Sequence, residues 1–133
     1  MYKLSNRSMK ELVGVHPILS FAVTEAIKHT KQDFMVLDGL RTTKEQEKLV
    51  ARGVSKTMNS YHLYGLAVDL VAYVDSKPSW DKKYYPDIAD AMKHVIEKYS
   101  LPIDWGYDMW SWDLAHWQLS GMMDTYDIRK ILD

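Results

Sequence analysis

Apolar residues recur at helical spacing in two stretches of the chain. From about Pro86 to Tyr99, the apolar positions lie on one side of a helix, which predicts an amphipathic helix. They are Ile88, Met92, Val95, Ile96 and Tyr99. Pro17 suits the first turn of another helix, which we predict to run to about His29. Its apolar stripe comprises Ile18, Phe21, Ala22 and Ile27.

The remaining apolar runs are short and bounded by turn residues, which favours strands. We predict these at Phe34–Asp38, Val68–Val74, Ile103–Gly106 and from His116 onward, with a turn-rich excursion at 75–80. Capping boxes are predicted at Ser8/Glu11, for a helical turn through Leu12, and at Thr43/Gln46, for a helix ending near Arg52 and Gly53. A closing helix is predicted over 124–133.

This pattern predicts an α+β fold, with a small, mostly antiparallel sheet flanked by helices and carrying the functional site on one face. The chain has 133 residues, 47% of them apolar, which indicates one domain over 1–133 with a substantial core. A net charge of −1 gives no basic footprint for nucleic acid, and no run is long enough for membrane insertion. We expect a monomer. The N-terminal residues lack the apolar segment of a signal peptide.

Candidate chemistry centres on the stretch from Ser60 to Tyr73. The chain has no cysteine, so a metal site must use histidine and carboxylate groups. His62 and Asp69 are seven residues apart and would point to opposite faces of one straight strand. They can converge only if the chain bends between them, and Gly65 permits that bend.

A second motif, Asp113-x-x-His116, precedes the last predicted strand. We predict that His62, Asp69 and His116 bind Zn²⁺, with a water in the fourth position and Asp113 as the general base. The alternative interpretation is that each histidine is a hydrogen-bonded structural residue. Three other histidines are interpreted as surface or helix-end residues: His16, His29 and His94.

Four of the five tryptophans lie between Trp105 and Trp117. By default they are packing residues of the core or its rim. Some could instead line a groove and stack on sugar or peptide, and the sequence does not separate these roles.

The combined motifs resemble the VanY-like zinc peptidases, whose fold is also that of the hedgehog and D-Ala-D-Ala peptidases. The resemblance spans about Leu12 to Leu119 and rests on an ordered set of segments. These are Asp38-Gly-Leu-Arg41-Thr-Thr-Lys-Glu-Gln46, Gly53-Val-Ser-Lys56, Ser60-x-His62-x-x-Gly65-x-Ala67-Val-Asp69-Leu, Trp105-Gly and Asp113-x-x-His116. The family contains D-alanyl-D-alanine carboxypeptidases and the L-alanyl-D-glutamate endopeptidases that bacteriophages use as endolysins.

The resemblance implies a role for each matching residue. His62, Asp69 and His116 match zinc ligands, Asp113 matches the acidic residue that activates water, and Arg41 matches the arginine that stabilises the oxyanion. Ser60 and Gln46 match positions near the substrate. From position alone, Arg41 would be interpreted as a solvated residue. The chain departs from the family pattern at three positions, which are Ala115, Gln118 and Tyr107.

The resemblance implies hydrolysis of a peptide bond in the peptidoglycan stem. We expect an L-alanyl-D-glutamate endopeptidase that accumulates in the host cytoplasm as a phage endolysin and reaches the wall after the membrane is breached. The alternatives are a D-alanyl-D-alanine carboxypeptidase, a wall-binding module that does not cleave, and a domain without a metal.

Overall fold

A five-stranded antiparallel sheet forms the centre of the computed structural model, which describes residues 1–55, 58 and 60–121. The strands are β1 (Phe34–Asp38), β2 (Ala67–Val74), β3 (Lys77–Ser79), β4 (Ile103–Trp105) and β5 (His116–Leu119). The α-helices are α1 (Asn6–Glu11), α2 (Pro17–His29), α3 (Thr43–Ala51), α4 (Tyr85–Tyr99) and α5 (Gly106–Trp110). Short 3₁₀ helices cover Tyr61–Tyr64 and Lys82–Tyr84. The predicted α+β class and antiparallel sheet are confirmed.

Strand β2 organises the sheet because three strands pair with it. One edge of β2 pairs with β1. Its other edge pairs with β5 over the first half and with β3 over the second half, and β4 then pairs with β5. The sheet order β1-β2-β5-β4 therefore brings the two predicted motifs onto neighbouring strands.

The core lies between this sheet and helices α2 and α4, which pack against each other. Helix α4 buries Ile88, Met92 and Val95 as its spacing predicts, while Tyr99 is 44% exposed at the helix end. Val68 and Leu70 of β2 are fully buried in the same core. Because side chains alternate along a strand, Asp69 between them faces the other side of the sheet.

Both predicted capping boxes are wrong in register. Helix α1 is capped by Ser5, and Ser8 is instead buried inside the helix, where its hydroxyl accepts a hydrogen bond from the backbone N–H of Val36. Helix α3 is capped by Thr42, which forms the capping box with Glu45. Ser8 and Gln46, which the two predicted boxes included, instead make buried contacts with the rest of the fold.

The predicted turn-rich excursion contains strand β3. Asp75 and Ser76 both have positive φ angles, 52° and 62°, as the two-residue turn of a tight hairpin requires. Pro78 in β3 is accommodated because this short strand lies at the edge of the sheet. The predicted closing helix at 124–133 lies outside the described residues. No helix of the described ranges is both long and apolar enough to cross a membrane.

Candidate metal centre and active-site cleft

Strand register places three polar residues in one row across the sheet. Asp69 of β2 is paired with Asp38 of β1 on one side and with His116 of β5 on the other. Side chains in such a row project from the same face of a sheet. The two motifs therefore meet because β2 and β5 are hydrogen-bonded neighbours.

His62 reaches the same face through the bend at Gly65. The chain forms a 3₁₀ helix over Tyr61–Tyr64 and ends it at Gly65, whose φ is +69°. A Cβ atom at Gly65 would lie 2.3 Å from the carbonyl oxygen of Gly14. Glycine is therefore required here both by the backbone conformation and by the close approach of another chain segment.

The donor atoms of His62, Asp69 and His116 all lie within 4.8 Å of one another. Asp69 Oδ1 is 3.3 Å from Nε2 of His62 and 3.2 Å from Nδ1 of His116. The opposite nitrogen of each ring has its own partner. Nδ1 of His62 donates to the carbonyl oxygen of Gly39 at 2.9 Å, and Nε2 of His116 lies 2.8 Å from Oε1 of Gln118.

This arrangement fits a metal ion. With the outer nitrogens protonated, both rings turn lone pairs toward the Asp69 carboxylate, so the three groups repel one another unless a cation or a proton lies between them. Outer hydrogen bonds of this kind fix the tautomer of metal-binding histidines. Two imidazoles and one carboxylate form a donor set that suits zinc and other transition metals.

The charges of the cluster shift the pKa values of its members. Burial alone would raise the pKa of Asp69, but His62 and His116 beside it hold that pKa well below its usual range. Burial would lower the pKa of His62, but the charge and hydrogen bond of Asp69 raise it above the ordinary value. The protein without metal therefore retains a proton on His62 more readily than free histidine would.

Asp113 lies beside the cluster in the turn before β5. Its Oδ1 accepts hydrogen bonds from the backbone N–H groups of Ala115 and His116, at 3.3 and 3.2 Å. Burial raises the pKa of Asp113, and the negative charge of Asp69 raises it further. Gly106 permits this packing, because a Cβ there would lie 2.9 Å from the Asp113 carbonyl oxygen.

Arg41 is only 8% exposed, so it is not the solvated arginine that its position alone suggested. Its guanidinium forms a salt bridge with Asp38 through two nitrogens, and its Nη1 donates to Oε1 of Gln46 at 2.7 Å. Its Nη2 also lies 3.9 Å from Oδ2 of Asp69. Arg41 is therefore a fixed positive charge next to the candidate metal site.

The structure places Ser60 and Gln46 differently. Ser60 lies on the cleft wall, where its Oγ accepts from the backbone N–H of His62. Gln46 is fully buried behind Arg41, and its Nε2 donates to Ser55. A substrate role for either residue stays a prediction.

One open cleft of about 550 Å³ joins the candidate metal ligands, Asp113 and Arg41. Three tryptophans also line it, namely Trp80, Trp110 and Trp112. Sequence reasoning missed three partners of the site: Gly39, Asp38 and Gln118. Only Asp38, three residues before Arg41 at a strand end, carried a signal, since that spacing allows an ion pair.

This fold and cleft define a small α+β domain in which a candidate metal centre, a carboxylate and an arginine line one open cleft. Residues 1–131 match the family model for phage L-alanyl-D-glutamate peptidases, and the chain belongs to that family. The predicted resemblance to the VanY-like zinc peptidases is confirmed, as is the predicted class, a peptidase directed at peptidoglycan.

Individual relatives agree with this assignment. The chain is 25% identical over 111 residues to the L-alanyl-D-glutamate peptidase of Escherichia phage T5, covering 80% of this chain and 81% of that protein. It is 30% identical over 110 residues to the endopeptidase CwlK of Bacillus subtilis, covering 71% and 66%. The L-Ala D-Glu endopeptidase ChiX of Serratia marcescens has a similar crystal structure, with a TM-score of 0.80, 35% identity and coverage of 87% and 88%.

Proposed function

We propose that this chain is a zinc-dependent endopeptidase that hydrolyses the L-alanyl-D-glutamate bond of the peptidoglycan stem. The convergence of His62, Asp69 and His116 beside Asp113 carries the proposal. The family and the named relatives supply the bond that is cleaved. We further propose that residues 1–133 act as one catalytic domain and as a monomer.

The metal would be held by Nε2 of His62, a carboxylate oxygen of Asp69 and Nδ1 of His116. A zinc ion so bound supplies a nucleophile at neutral pH, because it lowers the pKa of its water to about 7. Zinc is favoured over harder cations because two of the three donors are imidazole nitrogens.

Asp113 is proposed to move the proton. Its Oδ1 is held by two backbone N–H groups, so the carboxylate has a fixed orientation toward the cleft. As the general base it takes a proton from the attacking water and then gives it to the leaving amine of the D-glutamyl residue. Its raised pKa favours the first transfer, since a more basic carboxylate accepts a proton more readily.

Arg41 is proposed to stabilise the charge that develops on the scissile carbonyl oxygen. Its contacts with Asp38 and Gln46 hold the guanidinium in place before substrate arrives. Such preorganised positive charge stabilises a transition state without a cost of reorganisation. Ser60, on the cleft wall, is proposed to contact the stem peptide, and Gln46 is proposed to support substrate binding through Arg41.

The likeness to phage enzymes supports a role in host lysis, in which the enzyme accumulates in the host cytoplasm and reaches the wall once the membrane is breached.

The test of the reaction is mass spectrometry of purified peptidoglycan after incubation with the protein. Fragments with a free D-glutamate amine, lost with a zinc chelator and restored by zinc, are the expected result. Release of free D-alanine would identify a carboxypeptidase instead, and no product from zinc-loaded protein would favour a wall-binding module.

A further inference from the structure

The tryptophans between 105 and 117 divide into two groups. Trp105 and Trp117 are 9% and 1% exposed and stack on each other with ring centroids 5.4 Å apart, so they belong to the core. Trp110 and Trp112 are 44% and 68% exposed and stack on each other at 6.1 Å. Exposed aromatic side chains of this size are costly to leave in water and commonly mark a binding surface.

The exposed pair extends outward from the candidate metal site. The ring of Trp110 lies 5.3 Å from the ring of His116, and the ring of Trp112 lies 6.1 Å from the ring of Trp110. Both tryptophans line the cleft that contains the metal ligands. The aromatic surface is therefore continuous with the proposed catalytic site.

Trp112 also borders a second cleft of about 340 Å³. Residues that carry polar groups line this cleft together with the aromatic rings, including Lys82, Tyr107 and Ser111. A sugar ring presents apolar C–H faces and a rim of hydroxyl and amide groups. Aromatic faces bordered by hydrogen-bonding groups match both parts of such a ring.

The proposed substrate carries a sugar close to the scissile bond. In peptidoglycan, the amino group of the stem L-alanine is joined through a lactyl ether to N-acetylmuramic acid. One alanyl residue, which spans about 3.5 Å when extended, and the lactyl group therefore separate the scissile bond from the glycan. The separation between the scissile bond and the sugar is therefore comparable with the separation between His116 and Trp112. The latter comprises two ring contacts, with centroids 5.3 and 6.1 Å apart.

Resting on the proposed function, we propose that Trp112, stacked on Trp110, forms a glycan subsite that binds the muramyl sugar next to the scissile bond. The subsite gives the enzyme a preference for stem peptides still attached to the glycan strand. Because Trp112 is mostly exposed, its replacement removes the platform without opening the core.

The test compares two soluble substrates with the zinc-loaded full chain. One is a muramyl peptide, and the other is the same peptide with an N-terminal propionyl group in place of the muramyl group. The measured quantity is the ratio of kcat/KM for the two substrates. We expect the wild-type ratio to favour the muramyl peptide by about tenfold and Trp112→Ala to bring it close to one, whereas Trp112→Tyr retains part of the preference.

Tyr99→Ala is the matched control, because Tyr99 is an exposed aromatic residue at 44% that packs on Phe21 outside both clefts. It should keep the wild-type ratio. A general folding or catalytic defect lowers both rate constants and leaves their ratio unchanged. The subsite is refuted if the wild type has no preference, or if Trp112→Ala keeps the wild-type ratio. If the proposed function itself is wrong, the result differs from both of these outcomes, because the wild type would then cleave neither substrate.

Discussion

Nε2 of His116 and Oε1 of Gln118 lie 2.8 Å apart on the same face of strand β5. An amide oxygen accepts hydrogen bonds, so the contact places the His116 proton on Nε2 and leaves the Nδ1 lone pair facing Asp69. Gln118, noted in the sequence only as a departure from the family pattern, therefore leaves Nδ1 as the His116 nitrogen that faces the candidate metal site.

Gln118→Leu should weaken zinc affinity by about 10- to 100-fold, because the imidazole loses the partner that fixes its tautomer and orientation. Gln118→Glu keeps an acceptor and should retain the affinity. Competition with a chelating dye measures both. Gln32→Leu is the control, since Gln32 donates to the backbone carbonyls of Asp33 and of Tyr73, near the far end of β2. Equal affinity for Gln118→Leu and wild type would show that Gln118 does not orient His116.

Asp113→Asn should lower kcat by about 10²- to 10⁴-fold while zinc remains bound, because the amide keeps the shape of the side chain but cannot accept the proton. His116→Ala should lose both zinc and activity. Metal content and peptidoglycan hydrolysis are measured on the same samples. Asp108→Asn, an exposed acid paired with Lys93, is the control and should retain activity. Full activity in Asp113→Asn would exclude Asp113 as the base.

Arg41→Lys should lower kcat by about 10²- to 10³-fold, because an ammonium cannot keep the paired contacts with Asp38 and Gln46 while facing the substrate carbonyl. Zinc content should not change. Arg52→Lys, at the exposed end of α3, is the matched control. A purely structural role for Arg41 would instead appear as a lower Tm with kcat preserved in the folded fraction.

The sequence predicted the convergence of His62 and Asp69 because few residue types can bind a metal without cysteine and because Gly65 permits the bend. It could not predict the row of Asp38, Asp69 and His116, since that row depends on which strands pair and in what register. No local pattern specifies such pairing.

The capping boxes failed for a different reason. Thr42-x-x-Glu45 and Thr43-x-x-Gln46 both match the same pattern, so sequence alone admits two starts for α3. The choice is made by tertiary structure, because Gln46 is buried against Arg41 and cannot turn back to cap the helix.

Stabilisation by zinc should increase with pH. Burial lowers the pKa of His62 and Asp69 raises it. The net result is a pKa above the ordinary value of 6.5. As pH falls through this raised pKa, the imidazolium loses its lone pair and zinc affinity falls. In the protein without metal, the charged His62 adds stability below its unfolded pKa, and this is lost as pH rises through the folded pKa. Both effects widen the gap in Tm between zinc-loaded and chelated protein as pH rises.

Thermal unfolding from about pH 5 to about pH 8, with zinc and with chelator, measures this gap. His94→Ala removes an exposed histidine of α4 and should leave the pH dependence unchanged. A gap independent of pH would mean that no histidine proton competes with the metal.

Two glycines with almost the same positive φ angle test the bend that brings His62 to the site. Gly65 and Gly53 have φ angles of +69° and +72°, but a Cβ at Gly53 meets nothing within 4 Å, whereas one at Gly65 meets the Gly14 carbonyl oxygen at 2.3 Å. Gly53→Ala should therefore cost only the conformational strain, about 1–2 kcal/mol of unfolding free energy, and leave zinc affinity intact. Gly65→Ala should cost more and also weaken zinc binding, because the 3₁₀ helix that carries His62 must shift. Chemical denaturation and zinc titration of the two variants separate strain from displacement, and equal losses in both would show that the close approach to Gly14 does not position His62.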